Sequence, residues 1–428
     1  MRRSKFVLVA ATALLVLAVV LSGCQQAAPA ATQAPKATQA PAATQAPQAT
    51  QAPAATQAAK ATQAPAATQA PAATTAGPTP KFPYKIGVIA PLTGDVKTFG
   101  ESTKNGVDMA VAEANARGAK ITVVPQDDKN DPVEGVNAAN KLVADGVKAI
   151  VGSVASKVSI PVSEVAQSSK VVMISPTSTN PKVTVDNGVR KDYVFRACFI
   201  DPFQGTVMAK FALENLKAKK AAVLYDVSND YTKGLAEYFK AGFTKGGGTI
   251  NVFESYGKDD VDFSALLTKV AADNPDFLFL PDYYNKVSLI AKQAREKGIK
   301  AVFGGGDGWD SSELDFAATD GGYFSNHYSS EDQRPEVQNF VKAYKAKYGA
   351  DPDALATLAY DATNLLLTAA EKAGSDDPAK VKEAMATLSG VKTVSGAITF
   401  DKNGDPTKAA VVLQIKDGKQ KYVATVQP

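Results

Sequence analysis

The segment Tyr-Lys-Ile-Gly-Val-Ile-Ala-Pro-Leu-Thr-Gly, residues 84–94, opens the folded part of the chain. Its first seven residues are rich in apolar and β-branched side chains, which is typical of a strand buried on both faces of a parallel sheet. The proline and glycine that follow predict a loop, and the pattern at 101–117 predicts an amphipathic helix. This strand–loop–helix unit points to an α/β fold.

The alternation of strands and helices continues in two successive series. The first series predicts strands at 121–125, 149–152 and 171–174, with helices at 132–144 and 160–168. After Phe203 the pattern restarts, with strands expected at 221–225, 250–254, 277–280 and 301–303 and helices at 231–245, 263–272 and 287–297. The chain closes with helices at 335–348, 355–373 and 379–388 and strands at 409–415 and 422–426. Two such series predict two parallel-sheet lobes, each with helices on both faces of its sheet.

The loops after the strands are the candidate ligand site, because open α/β sheets bind ligands beyond the carboxyl ends of their strands. Four of these loops carry glycine, hydroxyl or acidic residues, at 92–100, 152–156, 175–181 and 304–310. We therefore expect the site to lie where the loops of the two lobes face each other.

Ser156 and Asp307 are the main polar candidates. Ser156 stands near a predicted helix start, where a hydroxyl and free backbone N–H groups bind a carboxylate, with Thr177 and Thr179 as neighbours. Asp307 lies among glycines, where its carboxylate could pair with an ammonium group. Spacing alone does not separate these roles from helix capping by Ser156 and a turn at Asp307. The glycine run at 304–308 lacks the lysine-containing phosphate-binding pattern, which argues against a phosphate site.

Aromatic residues also follow the predicted strands. They are Phe99, Tyr231, Tyr283, Tyr284 and Trp309. Together they could wall an apolar pocket, although an aromatic residue in such a place, taken alone, is more often just the edge of a core.

The N-terminal eighty residues predict export and anchoring. Residues 1–23 combine a basic start, an apolar run from Phe6 to Val20 and Leu-Ser-Gly before Cys24, which is typical of a cleaved signal peptide. The order Leu-Ser-Gly-Cys matches a lipobox, so we predict lipidation of the Cys24 thiol; the alternative is a simple signal peptide with an incidental cysteine. Residues 24–81 form a linker of Ala, Thr, Gln and Pro that is too poor in apolar residues to fold. We expect an extracytoplasmic protein that is lipid-anchored to the outer face of the cell membrane.

The composition of the globular part excludes several classes of function. Without the leader and linker, 41 basic residues stand against 43 acidic ones, so no concentrated basic face predicts nucleic-acid binding. Cys198 lies in a strand-like run and is expected to be buried, while His327 is the sole histidine. One cysteine and one histidine do not supply a zinc site of the usual kind or a common hydrolase triad. We therefore predict no enzymatic activity, no metal and no cofactor.

A set of ordered motifs resembles one family. The motifs are Ile-Gly-Val-Ile-Ala-Pro-Leu-Thr-Gly (86–94), Asp-Asp-Lys-Asn-Asp-Pro (127–132), Ile-Val-Gly-Ser (150–153), Ser-Pro-Thr-Ser-Thr-Asn-Pro (175–181), Phe-Arg (195–196), Gln-Gly (204–205), Gly-Gly-Asp-Gly-Trp-Asp (305–310) and Ala-Tyr-Asp-Ala (359–362). Spread over nearly the whole globular part, they resemble the leucine/isoleucine/valine-type (branched-chain amino acid) substrate-binding lipoproteins of ABC transporters, which are type I periplasmic binding proteins.

The resemblance implies a fold of two Rossmann-like, doubly wound α/β lobes joined by a three-stranded hinge. It places 82–201 and 328–410 in lobe 1, and 202–327 and 411–428 in lobe 2.

The resemblance also implies which residues bind the ligand. Ser156, Thr179 and the backbone of Thr177 would hold an α-carboxylate, and Asp307 would take the α-ammonium group. The remaining implied lining residues are Phe99, Val154, Ala155, Tyr231, Tyr283, Gly308 and Trp309. The best-known leucine binder of the family has a glutamate at the place of Asp307, so the shorter side chain here leaves a ligand other than leucine open.

The implied function is that of a monomeric receptor without catalytic activity. It would capture an amino acid, branched-chain or otherwise apolar, in the cleft between the lobes and deliver it to an ABC importer permease. The alternatives are a binder of amides, urea or another small solute, and a ligand-sensing module for a signalling partner.

Overall fold

The computed structural model of this chain describes residues 77–428. The predicted signal peptide at 1–23, the lipidated Cys24 and the linker up to residue 76 lie outside the described residues.

The first lobe is built on a five-stranded sheet whose order is β2-β1-β3-β4-β7 and whose strands are all parallel. In chain order its elements are β1 (Pro83–Ala90), α1 (Lys97–Ala116), β2 (Lys120–Asp127), α2 (Pro132–Ala144), β3 (Ala149–Val151), α3 (Ser156–Ser169), β4 (Val172–Ser175), the small hairpin β5 (Val185–Asp186) and β6 (Val189–Arg190), and β7 (Val194–Arg196). The helices cover both faces of this sheet, which explains why β1 and β3 are almost entirely buried.

The second lobe is built on a seven-stranded sheet of order β16-β15-β12-β11-β10-β8-β9. Its first elements are α4 (Asp201–Glu214), β8 (Lys220–Asp226), α5 (Asp230–Lys245), β9 (Thr249–Tyr256), α6 (Ser264–Asp273), β10 (Phe277–Phe279), α7 (Tyr284–Glu296), β11 (Val302–Gly305) and β12 (Tyr323–Asn326). The chain then leaves this sheet for α8 (Pro335–Tyr348), α9 (Ala354–Ala373), α10 (Pro378–Ala386) and the small hairpin β13 (Val391–Thr393) and β14 (Gly396–Ile398). It returns to the sheet with the edge hairpin β15 (Ala410–Lys416) and β16 (Lys419–Val426). β15 pairs antiparallel with both β12 and β16, while the other five strands pair parallel with one another.

Local sequence signals explain where several elements begin and end. Asp131 precedes α2 and its carboxylate accepts the N–H groups of Val133 and Glu134, which caps the helix at the place where Pro132 already favours a first helical turn. The β15–β16 hairpin turns at Asp417 and Gly418, which both have positive φ, as a two-residue type I′ turn requires.

Helices α8, α9 and α10 return to the first lobe. In α9, Leu358 and Leu365 pack in the same apolar cluster as Ile86 of β1. Helix α9 also lies so close to α1 that a Cβ at Gly106 would stand 2.1 Å from the carbonyl oxygen of Ala356. The chain therefore passes between the lobes three times, at 197–200, 327–334 and 399–409. The predicted lobe boundaries fall in or beside these three connections.

The sequence pattern did not predict α4 or β12. Helix α4 contains Gly205 and buries Gln204 together with apolar residues, so it lacks a clean amphipathic stripe. β12 has only four residues, two of which are Ser325 and Asn326, so its pattern is not that of a buried strand. Among the helices of residues 77–428, none is both long and apolar enough to span a membrane.

Candidate functional site

A cavity of about 300 Å³ lies between the two lobes. Its lining residues from the first lobe are Phe99, Val154, Ser156, Thr177 and Leu355, and those from the second lobe are Tyr231, Tyr283, Asp307 and Gly308. All of them except Leu355 were candidates from the sequence. Most lie just beyond the carboxyl ends of β3, β4, β8, β10 and β11, where a ligand of an α/β sheet is expected.

Contacts between the lobes surround this cavity. Tyr284 Oη donates to the carbonyl of Asp95 at 3.2 Å, and Asn180 Nδ2 donates to the carbonyl of Asp230 at 2.9 Å. Elsewhere on the rim, the backbone N–H of Ala354 at the start of α9 donates to Asp310 Oδ2 at 2.7 Å. The lobes are thus in the closed arrangement in this structure.

The loop that carries Ser156 depends on a glycine. Gly152 has φ +132°, and a Cβ there would stand 2.2 Å from the carbonyl oxygen of Ile89. Because only glycine fits this close approach, the chain can leave β3 and turn directly into α3 beside the cleft. The same loop brings Val154 to the cavity wall.

Ser156 is the first residue of α3 and does not cap it. The N-cap is Ala155, which has no side-chain hydrogen bond to offer, so the structure excludes the capping role. Ser156 Oγ accepts the backbone N–H of Asn180 at 3.3 Å, which leaves its own hydroxyl proton to donate into the cavity. The start of α3 adds partial positive charge.

The two threonines of the 175–181 loop differ in their positions. Thr177 lines the cavity, and its Oγ1 donates to the carbonyl of Val154 at 3.1 Å, so its backbone N–H is the donor left for a ligand. Thr179 Oγ1 is buried without a hydrogen-bond partner among the described residues, and its carbonyl accepts the N–H of Asp201 at 2.9 Å. Thr179 is not among the residues that line the cavity, so its predicted role in holding a carboxylate stays a prediction.

Asp307 forms the opposite, acidic end of the cavity. It begins a single 3₁₀ turn, Asp307–Trp309, directly after β11. Its Oδ1 accepts hydrogen bonds from Gln204 Nε2 at 2.8 Å and Tyr231 Oη at 2.9 Å, and its Oδ2 lies 3.0 Å from His327 Nε2. Burial raises the pKa of Tyr231 well above its usual value, so its hydroxyl remains protonated and donates. Oδ1 of Asp307 therefore accepts from two donors, as the oxygen of a carboxylate does.

The negative charge of Asp307 has no cationic partner among residues 77–428. Within salt-bridge distance the structure places only His327. Burial lowers the pKa of His327 against the opposing effect of Asp307, so its imidazole is neutral near pH 7. Burial also raises the pKa of nearby Asp201 to about 8, so that carboxyl is protonated. Asp307 is therefore a buried, unpaired anion that faces a cavity. Because a buried charge is costly unless it is paired, this arrangement favours the binding of a cationic group.

Apolar rings form the wall between the two polar ends. Tyr231 and Tyr283 stack with a centroid distance of 5.3 Å, and Phe99 of the first lobe meets the edge of Tyr283 at 5.5 Å. Leu355, at the start of α9, completes this wall. Such a surface suits an aliphatic group of a ligand.

Two further candidates lie outside the wall of the cavity. Trp309 is fully buried in the core of the second lobe, where its Nε1 donates to the carbonyl of Leu280 at 2.9 Å and its ring packs on Phe324. The expectation that Trp309 lines the site is therefore corrected. Ala155 is buried as the N-cap of α3, and its neighbour Val154 supplies the lining side chain.

Sequence reasoning missed Gln204, His327 and Leu355 as members of this site. Gln204 stood in one of the motifs and His327 was noted as the sole histidine, but neither carried a predicted role. Leu355 gave no signal, because a leucine at the start of a helix is indistinguishable from a core residue until the helix is placed.

The fold and the site together define a two-lobed solute-binding protein. The model of the family described as periplasmic binding protein matches residues 83–420, and the chain belongs to this family.

The match to this chain covers nearly the whole length of several similar proteins. A Leu/Ile/Val-binding protein homolog of Brucella melitensis is 36% identical over 343 residues, which are 78% of this chain and 92% of the relative. The crystal structure of a leucine-binding protein, LivK, from Thermotoga maritima has 39% identity and a TM-score of 0.77, with coverage of 81% of this chain and 99% of that one. The branched-chain amino acid transporter substrate-binding protein LivJ from Streptococcus pneumoniae, in complex with isoleucine, has 31% identity and a TM-score of 0.75, with coverage of 81% and 100%.

Proposed function

We propose that this protein is an extracytoplasmic receptor that captures an amino acid with an apolar side chain, the branched-chain type first, and delivers it to an ABC importer. The similar proteins support this proposal, since their names describe leucine, isoleucine and valine binding and branched-chain amino acid transport. Family membership supports a binding role without catalysis.

The observation that carries the proposal is the unpaired carboxylate of Asp307 at one end of a small cavity with donors at the other. An α-ammonium group would supply the counter-ion of Asp307. The Ser156 hydroxyl and the Thr177 N–H, both at or near the start of α3, would hold the α-carboxylate. The side chain would then lie against Phe99, Tyr283 and Leu355.

The cavity volume limits the ligand. The empty space of about 300 Å³, part of which is open to solvent, favours a single amino acid over a peptide. Hydrogen bonds to charged groups contribute roughly 1.5–3 kcal/mol each, so three or four of them are enough for micromolar binding.

A thermal-shift screen of the twenty amino acids, urea and short amides tests the ligand class. We expect leucine, isoleucine or valine to raise the melting temperature, because a ligand of the folded state stabilises it by mass action. A shift with amides or urea and none with amino acids would contradict the proposal. Loss of the shift when the ammonium group is removed, as in 4-methylpentanoate, would show that the Asp307 end of the cavity recognises the amine.

We also propose that Cys24 is acylated after cleavage of residues 1–23, so that the linker up to residue 81 tethers a monomeric receptor to the outer face of the cell membrane. The Leu-Ser-Gly-Cys order supports this proposal. Metabolic labelling with a palmitate analogue should mark the wild-type chain and leave Cys24→Ser unlabelled. Equal labelling of both chains would contradict the assignment.

A further inference from the structure

His327 joins the acidic end of the cavity to the connections between the lobes. It lies at the start of the 327–334 connection, and its ring stacks on Phe199 of the 197–200 connection at a centroid distance of 3.8 Å. The side chain is 1% exposed, and its Nε2 lies 3.0 Å from Asp307 Oδ2. Its Nδ1 is buried and has no hydrogen-bond partner within residues 77–428.

The hydrogen bonds of Asp307 determine which nitrogen of His327 carries a proton. An ionised carboxylate only accepts, so Nε2 must be the N–H donor, and the unpartnered Nδ1 holds the lone pair of a neutral ring. A carboxylate has about four lone-pair sites. Gln204 and Tyr231 occupy two on Oδ1, and His327 occupies one on Oδ2, which leaves one site on Oδ2 open.

We propose that His327 is a positioning residue that aims the open lone pair of Asp307 at the ammonium group of the ligand and makes capture dependent on pH. This inference rests on the proposed function. Neutral His327 holds Oδ2 in place without cancelling its charge. Protonated His327 becomes the counter-ion of Asp307 and thus competes with the ligand for the same charge.

The groups around His327 support a neutral ring at neutral pH. Asp307 and Asp310 favour the charged ring, whereas burial and Lys408 disfavour it, and burial is the largest effect, so the pKa of His327 is lowered. The Cys198 thiol, beside Phe199, carries no charge because burial raises its pKa to about 12. Asp201, near Asp307, is protonated below about pH 8.

Binding of the ligand and protonation of His327 therefore exclude each other. A second cation at Asp307 lowers the pKa of His327 further, and by linkage a proton on His327 weakens ligand binding. Below the pKa of the ring, the apparent Kd should rise by up to about tenfold for each pH unit. At neutral pH, the contribution of His327 to ligand binding is limited to holding the Asp307 side chain in position.

Calorimetry with L-leucine on the full-length chain tests this proposal in wild type, H327Q and H327N at about pH 7.5 and about pH 5.0. The glutamine amide reaches the place of Nε2 and donates there without titrating, whereas the shorter asparagine does not reach it. We expect H327Q to bind at the higher pH within about threefold of wild type and H327N to bind roughly tenfold to a hundredfold more weakly, as the loss of a hydrogen bond to a charged group predicts. Between the two pH values, wild type should bind more weakly in acid, whereas the affinity of H327Q should change by less than about threefold.

The two pH profiles separate the possible results. Equal responses of wild type and H327Q to acid, whether both weaken or neither does, would overturn the proposal, because His327 would then not control the pH dependence of binding. Equal affinity of H327Q and H327N at the higher pH would overturn the positioning role. If wild type binds none of leucine, isoleucine and valine, the proposed function itself fails, and the inference about His327 falls with it.

Discussion

Replacement of Asp307 by asparagine tests the charge at the acidic end of the cavity with little change in shape. The introduced amide keeps a carbonyl that accepts from Gln204 and Tyr231. Its NH₂ group would face His327 Nε2. The neutral imidazole can accept this hydrogen bond in the tautomer that carries its proton on Nδ1, which has no partner among residues 77–428 in wild type. The unliganded fold should therefore keep its stability to within about 1 kcal/mol.

The ligand, in contrast, would lose its counter-ion. The side chain of Asp307 is only 10% exposed, so the pair with an ammonium group is nearly desolvated. Loss of one partner of a buried ion pair costs roughly 3–5 kcal/mol, which corresponds to a rise in Kd of about 10²- to 10⁴-fold.

Isothermal titration calorimetry with leucine, isoleucine and valine measures this loss, and urea unfolding without ligand measures the stability. The exposed Asp259→Asn is the matched control, because it makes the same change in net charge away from the cavity. A Kd for Asp307→Asn within about threefold of the control would refute the assignment of the ammonium site. A large loss of stability without ligand would refute the argument that Asp307 is an unpaired anion.

Two further predictions concern Asp201 and Leu355. Burial raises the pKa of Asp201 to about 8 in the folded state, whereas the same carboxyl group in the unfolded chain loses its proton near pH 4. Between these two pH values the folded state therefore holds one proton more than the unfolded state. Its stability falls as the pH rises through that window. Over that window, the free energy of unfolding measured in urea should fall with rising pH by about 1.4 kcal/mol per pH unit less in Asp201→Asn than in wild type. Parallel profiles of stability against pH for the two chains would contradict this prediction. Leu355→Ala should weaken leucine binding by about tenfold to a hundredfold and favour phenylalanine relative to leucine, because it removes part of the cavity wall. An unchanged ratio of the two Kd values in competition titrations would show that Leu355 does not contact the ligand side chain.

Much of the architecture was predictable, because its signals are local. Residues 132–144 were predicted as a helix with the bounds that α2 has, since Asp131 and Pro132 mark its start within the sequence itself. The buried strand at 84–90 was predicted to within one residue, because apolar β-branched residues in a short run favour a strand covered on both faces. Helix α4 was missed because it is buried on more than one side, which removes the periodic pattern that reveals a surface helix.

The candidate site was only partly predictable. Asp307 and Ser156 could be selected as residues that follow strands, and the structure places both on the same cavity. Trp309 follows the same strand, yet it lies in the core, because a 3₁₀ turn points residues two positions apart in different directions. Sequence spacing does not reveal on which side of such a turn the solvent or the cleft lies.

The sequence alone determined the class of fold, the order of most of its elements and the residue types available for binding, because helix caps, turns and hydrophobic periods depend on near neighbours. Only the tertiary structure decided how Asp307 is held. Its hydrogen-bond partners Gln204, Tyr231 and His327 lie 103, 76 and 20 residues away in the chain. Whether Asp307 is an unpaired anion depends on the burial that keeps His327 neutral and Asp201 protonated. Burial of this kind depends on packing between residues that are distant in the chain, and for that reason no local pattern encodes it.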